Sequence, residues 1–173
     1  IDHDLLDQAL STAPKPHVLL VDDDPVNLQV TAATLERSGY QVKQADNGQT
    51  ALELFERGVF DAIITDIQMP IMDGIATLPE LKKIAPRTKV IMLTMVDDNS
   101  MITKLMELGA NSYLTKTSDS EIIYEAIKTC YEQEYYFNSL TNKALLTNLK
   151  QRNVSTPEHL MPQEVNLSEK ETT

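Results

Sequence analysis

The sequence predicts an α/β fold: a doubly wound, five-stranded parallel sheet flanked by five helices, with an extra C-terminal linker helix. Three observations carry this reading. Five short strand-like runs alternate with five helical stripes along the chain. The run before Asp66, Ala62-Ile63-Ile64, is apolar throughout, as in a parallel strand covered on both faces. Glycines at 39, 58 and 109 stop the first, second and fourth helices before the next strand begins.

Taken in order, residues 1–16 form an arm and linker. Leu5, Leu6, Ala9 and Leu10 make a partial helical stripe, and two prolines break the pattern between Ser11 and Pro16. The purpose of this arm is not legible from its residues. His17–Val21 is the first strand, ending in Asp22, Asp23 and Asp24. Pro25 suits the first turn of a helix whose apolar contacts are assigned to Val26, Val30, Ala33 and Leu35. Tyr40–Ala45 alternates as a second strand. Asp46-Asn47-Gly48 is a turn, and Thr50–Arg57 a helix offering Ala51, Leu52, Leu54 and Phe55 to the core. After the central strand, Met72-Asp73-Gly74 turns into a helix through Leu78, Leu81 and Ile84, which Pro79 should kink or shorten at its start. Lys89–Thr94 is the fourth strand. Asp97 to Ser100 caps a helix carrying Ile102, Leu105, Met106 and Leu108. Ser112–Thr115 is the fifth strand, with Lys116 directly after it. Ser118 or Asp119 caps the last helix of the domain, with Ile122, Ile123, Ala126, Ile127 and Cys130 on its apolar side.

Composition narrows the function. The 173 residues suit one domain with modest appendages, and 42% apolar content is ordinary for a globular chain. A net charge of −11 repels nucleic-acid phosphates and favours cations or basic partners. A single cysteine, Cys130, excludes an internal disulfide and reads as a small core residue in a reducing, cytoplasmic setting. No apolar run is long enough to span a membrane, and the first residues are not a signal peptide. The absence of an initiating Met is taken to mark a fragment or processed chain.

Right-handed crossovers put all five strand ends on one edge of such a sheet. That edge collects Asp22, Asp23, Asp66, Thr94 and Lys116. Singly, each has a plain reading: a strand-end Asp often opens a turn, Lys116 could be a solvated loop cation, and Thr94 an ordinary strand end. Together they describe a reaction site. Crowded carboxylates need a cation, and an all-oxygen set suits a hard ion such as Mg²⁺. A carboxylate can itself attack phosphorus and form an acyl phosphate. A lysine ammonium and a hydroxyl can neutralise the equatorial oxygens during phosphoryl transfer.

On these residues the chain resembles the response-regulator receiver domains of two-component signalling, which have the flavodoxin-like, CheY-like fold. The motifs are Val21-Asp22-Asp23-Asp24-Pro25, Ile64-Thr65-Asp66-Ile67-Gln68-Met69-Pro70, Met72-Asp73-Gly74, the strand-end Thr94, and Tyr113 ahead of Lys116. They cover residues 17 to about 137. The resemblance implies that Asp66 is the phosphoacceptor and that Asp23 ligates Mg²⁺ directly, with Asp22 acting mainly through water. It further implies that the backbone carbonyl of Gln68 completes the metal set, that Thr94 and Lys116 contact the phosphoryl group, and that Tyr113 changes rotamer with Thr94. Two departures stand out. Thr117 follows Lys116 where the family commonly has a proline in a cis peptide, so a cis bond is not expected here. Met95 follows Thr94 where a small residue is frequent. Both features resemble the LuxR/NarL-type subfamily, whose output is a helix-turn-helix DNA-binding domain.

The expected organisation is an arm at 1–16, a receiver domain at 17–138, and a helical linker with the start of a missing output domain at 139–173. Tyr135-Tyr136-Phe137 reads as packing of the preceding helix. Ser139 should cap a linker helix bearing Leu140, Ala144, Leu145 and Leu149, and residues 151–164 read as a polar linker. The capping box of Ser168 and Glu171, just before the end, suggests truncation. Residues 139–173 carry four bases and four acids, so DNA binding is expected only through the missing domain.

The leading expectation is a switch phosphorylated on Asp66 with Mg²⁺ by a sensor histidine kinase or phosphotransfer protein. It would alter the surface around the fourth and fifth strands, and with it homodimerisation and transcription. The chain would be no enzyme beyond its own aspartyl phosphorylation and dephosphorylation. Three rivals are a phosphorylation-independent interaction module, a single-domain phosphoryl shuttle, and a phosphatase with an aspartyl intermediate. Gln68 stands where such a phosphatase usually has a second acid. None of His3, His17 or His159 lies in a context that suits phosphotransfer.

Overall fold

A computed structural model describes residues 15–95 and 98–154. Residues 1–14 of the arm, Asp97, the polar stretch after Val154 and the Ser168–Glu171 capping box lie outside the described residues. The elements are β1 (His17–Val21), α1 (Pro25–Arg37), β2 (Gln41–Ala45), α2 (Gly48–Arg57), β3 (Ala62–Asp66), α3 (Gly74–Ile84), β4 (Lys89–Thr94), α4 (Asn99–Glu107), β5 (Ser112–Thr115), α5 (Ser120–Gln133) and α6 (Ser139–Val154). The five strands form one sheet in the order β2-β1-β3-β4-β5, and every pairing is parallel. This is the predicted class. The chain reverses its direction of travel between β1 and β3, which opens a crevice at their carboxyl ends.

Strand alternation sends side chains to both faces. Val18 and Leu20 pack with Leu28, Ala32, Leu35, Ile123, Ala126, Ile127 and Cys130 under α1 and α5. Leu19, Val21 and Ile63 pack with Ala51 and Phe55 of α2 on the other face. Met92 and Tyr113 continue that second face beneath α3 and α4, where Ala144 of α6 joins them. Burial pushes the Cys130 thiol up to about 11, as befits a core residue.

Side-chain caps define where helices start. Asp24, Asn47, Asp73, Asp98 and Asp119 each accept backbone N–H bonds at the N-terminus of α1 to α5. Asp119, rather than Ser118, caps α5. Asn138, not Ser139, caps α6: its side chain accepts from Thr141 N at 3.0 Å, while its own N–H donates to the Thr141 hydroxyl at 2.7 Å.

Five further expectations are corrected. On α1 the buried stripe is Leu28, Ala32 and Leu35, whereas Val26, Val30 and Ala33 face outward. The two stripes are equally periodic, and packing on the sheet selects between them. On α5, Ile122 is exposed beside buried Ile123. Of the aromatic run, only Tyr136 packs against the core; Tyr135 and Phe137 are exposed and stacked on each other with centroids 5.7 Å apart. Residues 151–154 belong to α6 rather than to a linker. Pro79 lies within α3, whose first turn precedes it unshortened.

Candidate functional site

β1 and β3 run side by side, with Val21 level with Thr65, so the residues that follow emerge together at the crevice. Asp66, the last residue of β3, is 6% exposed, and Asp22, just past β1, is 5% exposed. Lys116, just past β5, reaches back across β4: its Nζ lies 2.8 Å from Asp66 Oδ2 and 2.9 Å from Asp22 Oδ2. Exposed Asp23 completes the group, with one carboxylate oxygen from each of Asp22, Asp23 and Asp66 within 4.8 Å of one another. The remaining oxygens are held by backbone. Asp66 Oδ1 accepts from Ile67 N at 2.7 Å, and Asp22 Oδ1 accepts from Asp24 N at 2.9 Å. The third acid of the run has a different task, since Asp24 caps α1.

Electrostatics follow from this crowding. Burial raises the proton affinity of the Asp66 carboxyl and Asp22 adds to it; the hydrogen bond and charge of Lys116 and the Ile67 amide oppose without cancelling it. Burial alone would lower the Lys116 ammonium, but hydrogen bonds and charge from Asp66 and Asp22 together outweigh it and hold Lys116 above its ordinary value. One ammonium thus balances two buried carboxylates, and the edge keeps an excess of negative charge.

That donor set fits a hard divalent cation. Opposite ligands of an Mg²⁺ ion lie about 4 Å apart, close to the spread of these oxygens. Asp22, Asp23 and Asp66 could hold it, and exposed Gln68 lines the same hollow as Asp23. Thr94 is 1% exposed at the end of β4, and its carbonyl accepts the Lys116 N–H at 2.8 Å. Met95 beside it is exposed. Tyr113 is fully buried on β5, on the α3–α4 side of the sheet. All peptide bonds among the described residues are trans, including that joining Lys116 and Thr117.

Two supports were not read from the sequence as parts of the site. Gly74 N donates to Ile67 O at 2.8 Å, and a Cβ on Gly74 would collide with the Asp66 carbonyl oxygen, so the start of α3 backs the end of β3. The Asp73-Gly74 pair was visible as a turn, but not its closeness to Asp66. Asn138 is the second. Its Nδ2 donates to the Tyr113 carbonyl at 2.8 Å, tying the start of α6 to β5. Nothing local in the sequence signals a bond across 25 positions.

An all-parallel sheet of this order, with paired acids, a strand-end Asp and a bridging lysine at its carboxyl edge, defines the receiver class of signalling domains. The chain belongs to the response regulator receiver domain family, whose model matches residues 18–128. It is 36% identical over 117 residues to the transcriptional regulatory protein GlrR of Escherichia coli K12, covering 68% of this chain and 26% of GlrR. It is 32% identical over 130 residues to the nitrate/nitrite response regulator protein NarP of the same organism, covering 74% of this chain and 60% of NarP. A receiver domain protein from Clostridium thermocellum superposes with a TM-score of 0.65 at 31% identity, covering 69% of this chain and 96% of that one. The chain therefore spans about a quarter of the length of GlrR. No helix among the described residues is long and apolar enough to cross a membrane.

Proposed function

We propose that the chain is a phosphorylation-operated receiver in which Asp66 accepts a phosphoryl group from a phosphohistidine of a sensor kinase or phosphotransfer protein, or from a small acyl phosphate. The observation that carries the reading is the Lys116 bridge between Asp66 and Asp22 inside a three-carboxylate cluster. One Asp66 oxygen attacks phosphorus, a P–O bond forms as the donor's P–N or P–O bond breaks, and the donor leaves with its electron pair. Lys116 moves its ammonium from the Asp66 carboxylate onto a phosphoryl oxygen, and the Thr94 hydroxyl donates to another. Asp22, Asp23, Asp66 and the Gln68 carbonyl would hold Mg²⁺, which supplies charge neutralisation at the transferring group. Hydrolysis of this aspartyl phosphate returns the chain to its start, so its only chemistry is on itself.

Tyr113 follows Thr94, and the surface of β4, α4 and β5 changes its preference for partners, including a second copy. The receiver unit runs from 17 to 138 and the segment 139–173 leads towards an output. The likeness to NarP supports a LuxR-type transcriptional output reached through that segment. Such a system would work in the cytoplasm.

Acetyl phosphate with Mg²⁺ tests the assignment. Phosphate-affinity electrophoresis should resolve an acid-stable, hydroxylamine-labile adduct on wild type that is absent from Asp66→Asn and from metal-chelated samples. An equal adduct on Asp66→Asn sinks the reading.

A further inference from the structure

At the amino-terminal edge of the sheet, opposite the carboxylates, lies a cavity of ≈ 210 Å³ walled by Tyr40, Tyr124 and Tyr131. Tyr40 is buried and packs on Tyr124 with ring centroids 5.9 Å apart. Tyr124 is 41% exposed and Tyr131 is 66% exposed, so the groove presents aromatic surface to solvent. No function at the other edge of the sheet requires it. Pro16, the residue at which the arm enters the fold, is itself part of its wall and is pinned there by Gln41 N donating to Pro16 O at 2.9 Å.

We propose that this tyrosine groove is the docking site for the chain's own residues 1–14, seated through Leu5, Leu6, Ala9 and Leu10. Reach is sufficient. Leu10 lies six steps before Pro16, an extended span of about 20 Å, whereas Tyr124 and Tyr131 are about 10 Å apart along α5. Charge does not oppose the docking: residues 1–14 carry Asp2, Asp4 and Asp7 and no Lys or Arg, and the wall balances Asp61 and Glu132 with Lys89 and Lys128. A tethered segment meets the groove at an effective concentration in the millimolar range, which a second copy does not reach at ordinary protein concentrations. Tyrosines are also suited to the task, with large amphipathic faces held by few rotatable bonds.

The test uses the full chain with Cys130→Ala and a cysteine pair, Ala9→Cys with Glu132→Cys, under mild oxidation. A control pair, Ala9→Cys with Gln49→Cys, places the second thiol on α2. The expected result is an intramolecular disulfide in monomers that forms at least tenfold faster than in the control. Equal rates, no disulfide, or a disulfide only between chains overturns the proposal, the last by making a second copy the occupant. A second measurement needs no cysteine: Leu6→Asp with Leu10→Asp should raise amide hydrogen exchange in Tyr124–Glu132 at least threefold. Unchanged exchange there contradicts docking, and unaltered far-ultraviolet circular dichroism confirms that the variant is folded.

Discussion

Replacing Lys116 with Met removes the cation at the carboxyl edge while keeping most of the side chain's volume. In the wild type its side chain is 17% exposed, against 7% for each of Asp22 and Asp66. Removing one partner of a buried pair costs about 3–5 kcal/mol, because the other charge stays buried and unpaired. Here two carboxylates lose a shared partner, but exposed Asp23 leaves one side open to water, so about 3 kcal/mol is expected near neutral pH without divalent cations. Added Mg²⁺ should recover much of this, since it binds the folded cluster and not the unfolded chain. The pH dependence has a definite sign. Burial, and then Asp22, already hold the Asp66 carboxyl above its unfolded value, and loss of Lys116 raises it further. An acid that binds its proton more tightly when folded gains stability as pH falls, so the deficit should shrink as pH falls towards the ordinary carboxylate range. In the wild type, Lys116 is itself held above 10.5, so its contribution is complete below that pH and is lost as pH rises through the folded value. Urea midpoints across pH, with and without Mg²⁺, measure all of this. A variant within about 0.5 kcal/mol of wild type in metal-free neutral buffer, or a deficit that grows on acidification, refutes the charge balance described here.

Gly74→Ala forces a methyl against the Asp66 carbonyl and, at 3.0 Å, the Ile67 Cα, so a loss of about 1–3 kcal/mol and slower phosphorylation are expected; thermal unfolding and adduct kinetics check both. Asn138→Ala removes the α6 cap and the bond to the Tyr113 carbonyl, at about 1–2 kcal/mol, and should speed hydrogen exchange in Ser139–Val154 selectively. Burial, with Tyr124 adding, pushes the Tyr40 hydroxyl from 10.0 up to about 12. Between those values the unfolded state loses its proton and the folded state does not, so stability should fall by about 1.4 kcal/mol per pH unit, and Tyr40→Phe should abolish that slope in alkaline denaturation.

The parts legible in the sequence are those set by short-range pattern. β1, β4 and β5 have the bounds expected because uninterrupted apolar runs meet polar ends, and parallel topology then brings Asp22, Asp23, Asp66, Thr94 and Lys116 to one edge. What was illegible depends on neighbours far along the chain. Two stripes on α1 are equally periodic, and only packing on the sheet chose Leu28 over Val26 and Val30. Lys82 Nζ donates to Asn111 Oδ1 at 2.8 Å and to Thr88 O at 2.9 Å, joining α3 to the start of β5 across a sequence gap that no local pattern signals. Asn111 in turn donates to Glu134 O at 2.8 Å, where the chain leaves α5 with a positive φ. The packing of α6 on α4 is hidden because small Ala144 and partly buried Leu140, rather than a strong apolar stripe, fill the contact.

The central claim is that Asp66 receives the phosphoryl group in a site built by Asp22, Asp23 and Lys116. Fluorine NMR of the wild-type chain titrated with beryllofluoride and Mg²⁺ tests it most directly. The account predicts slow-exchange bound fluoride resonances that need Mg²⁺, vanish in Asp66→Asn, and shift in Lys116→Met. Bound resonances that persist in Asp66→Asn, or none on the wild type at saturating Mg²⁺, would contradict it.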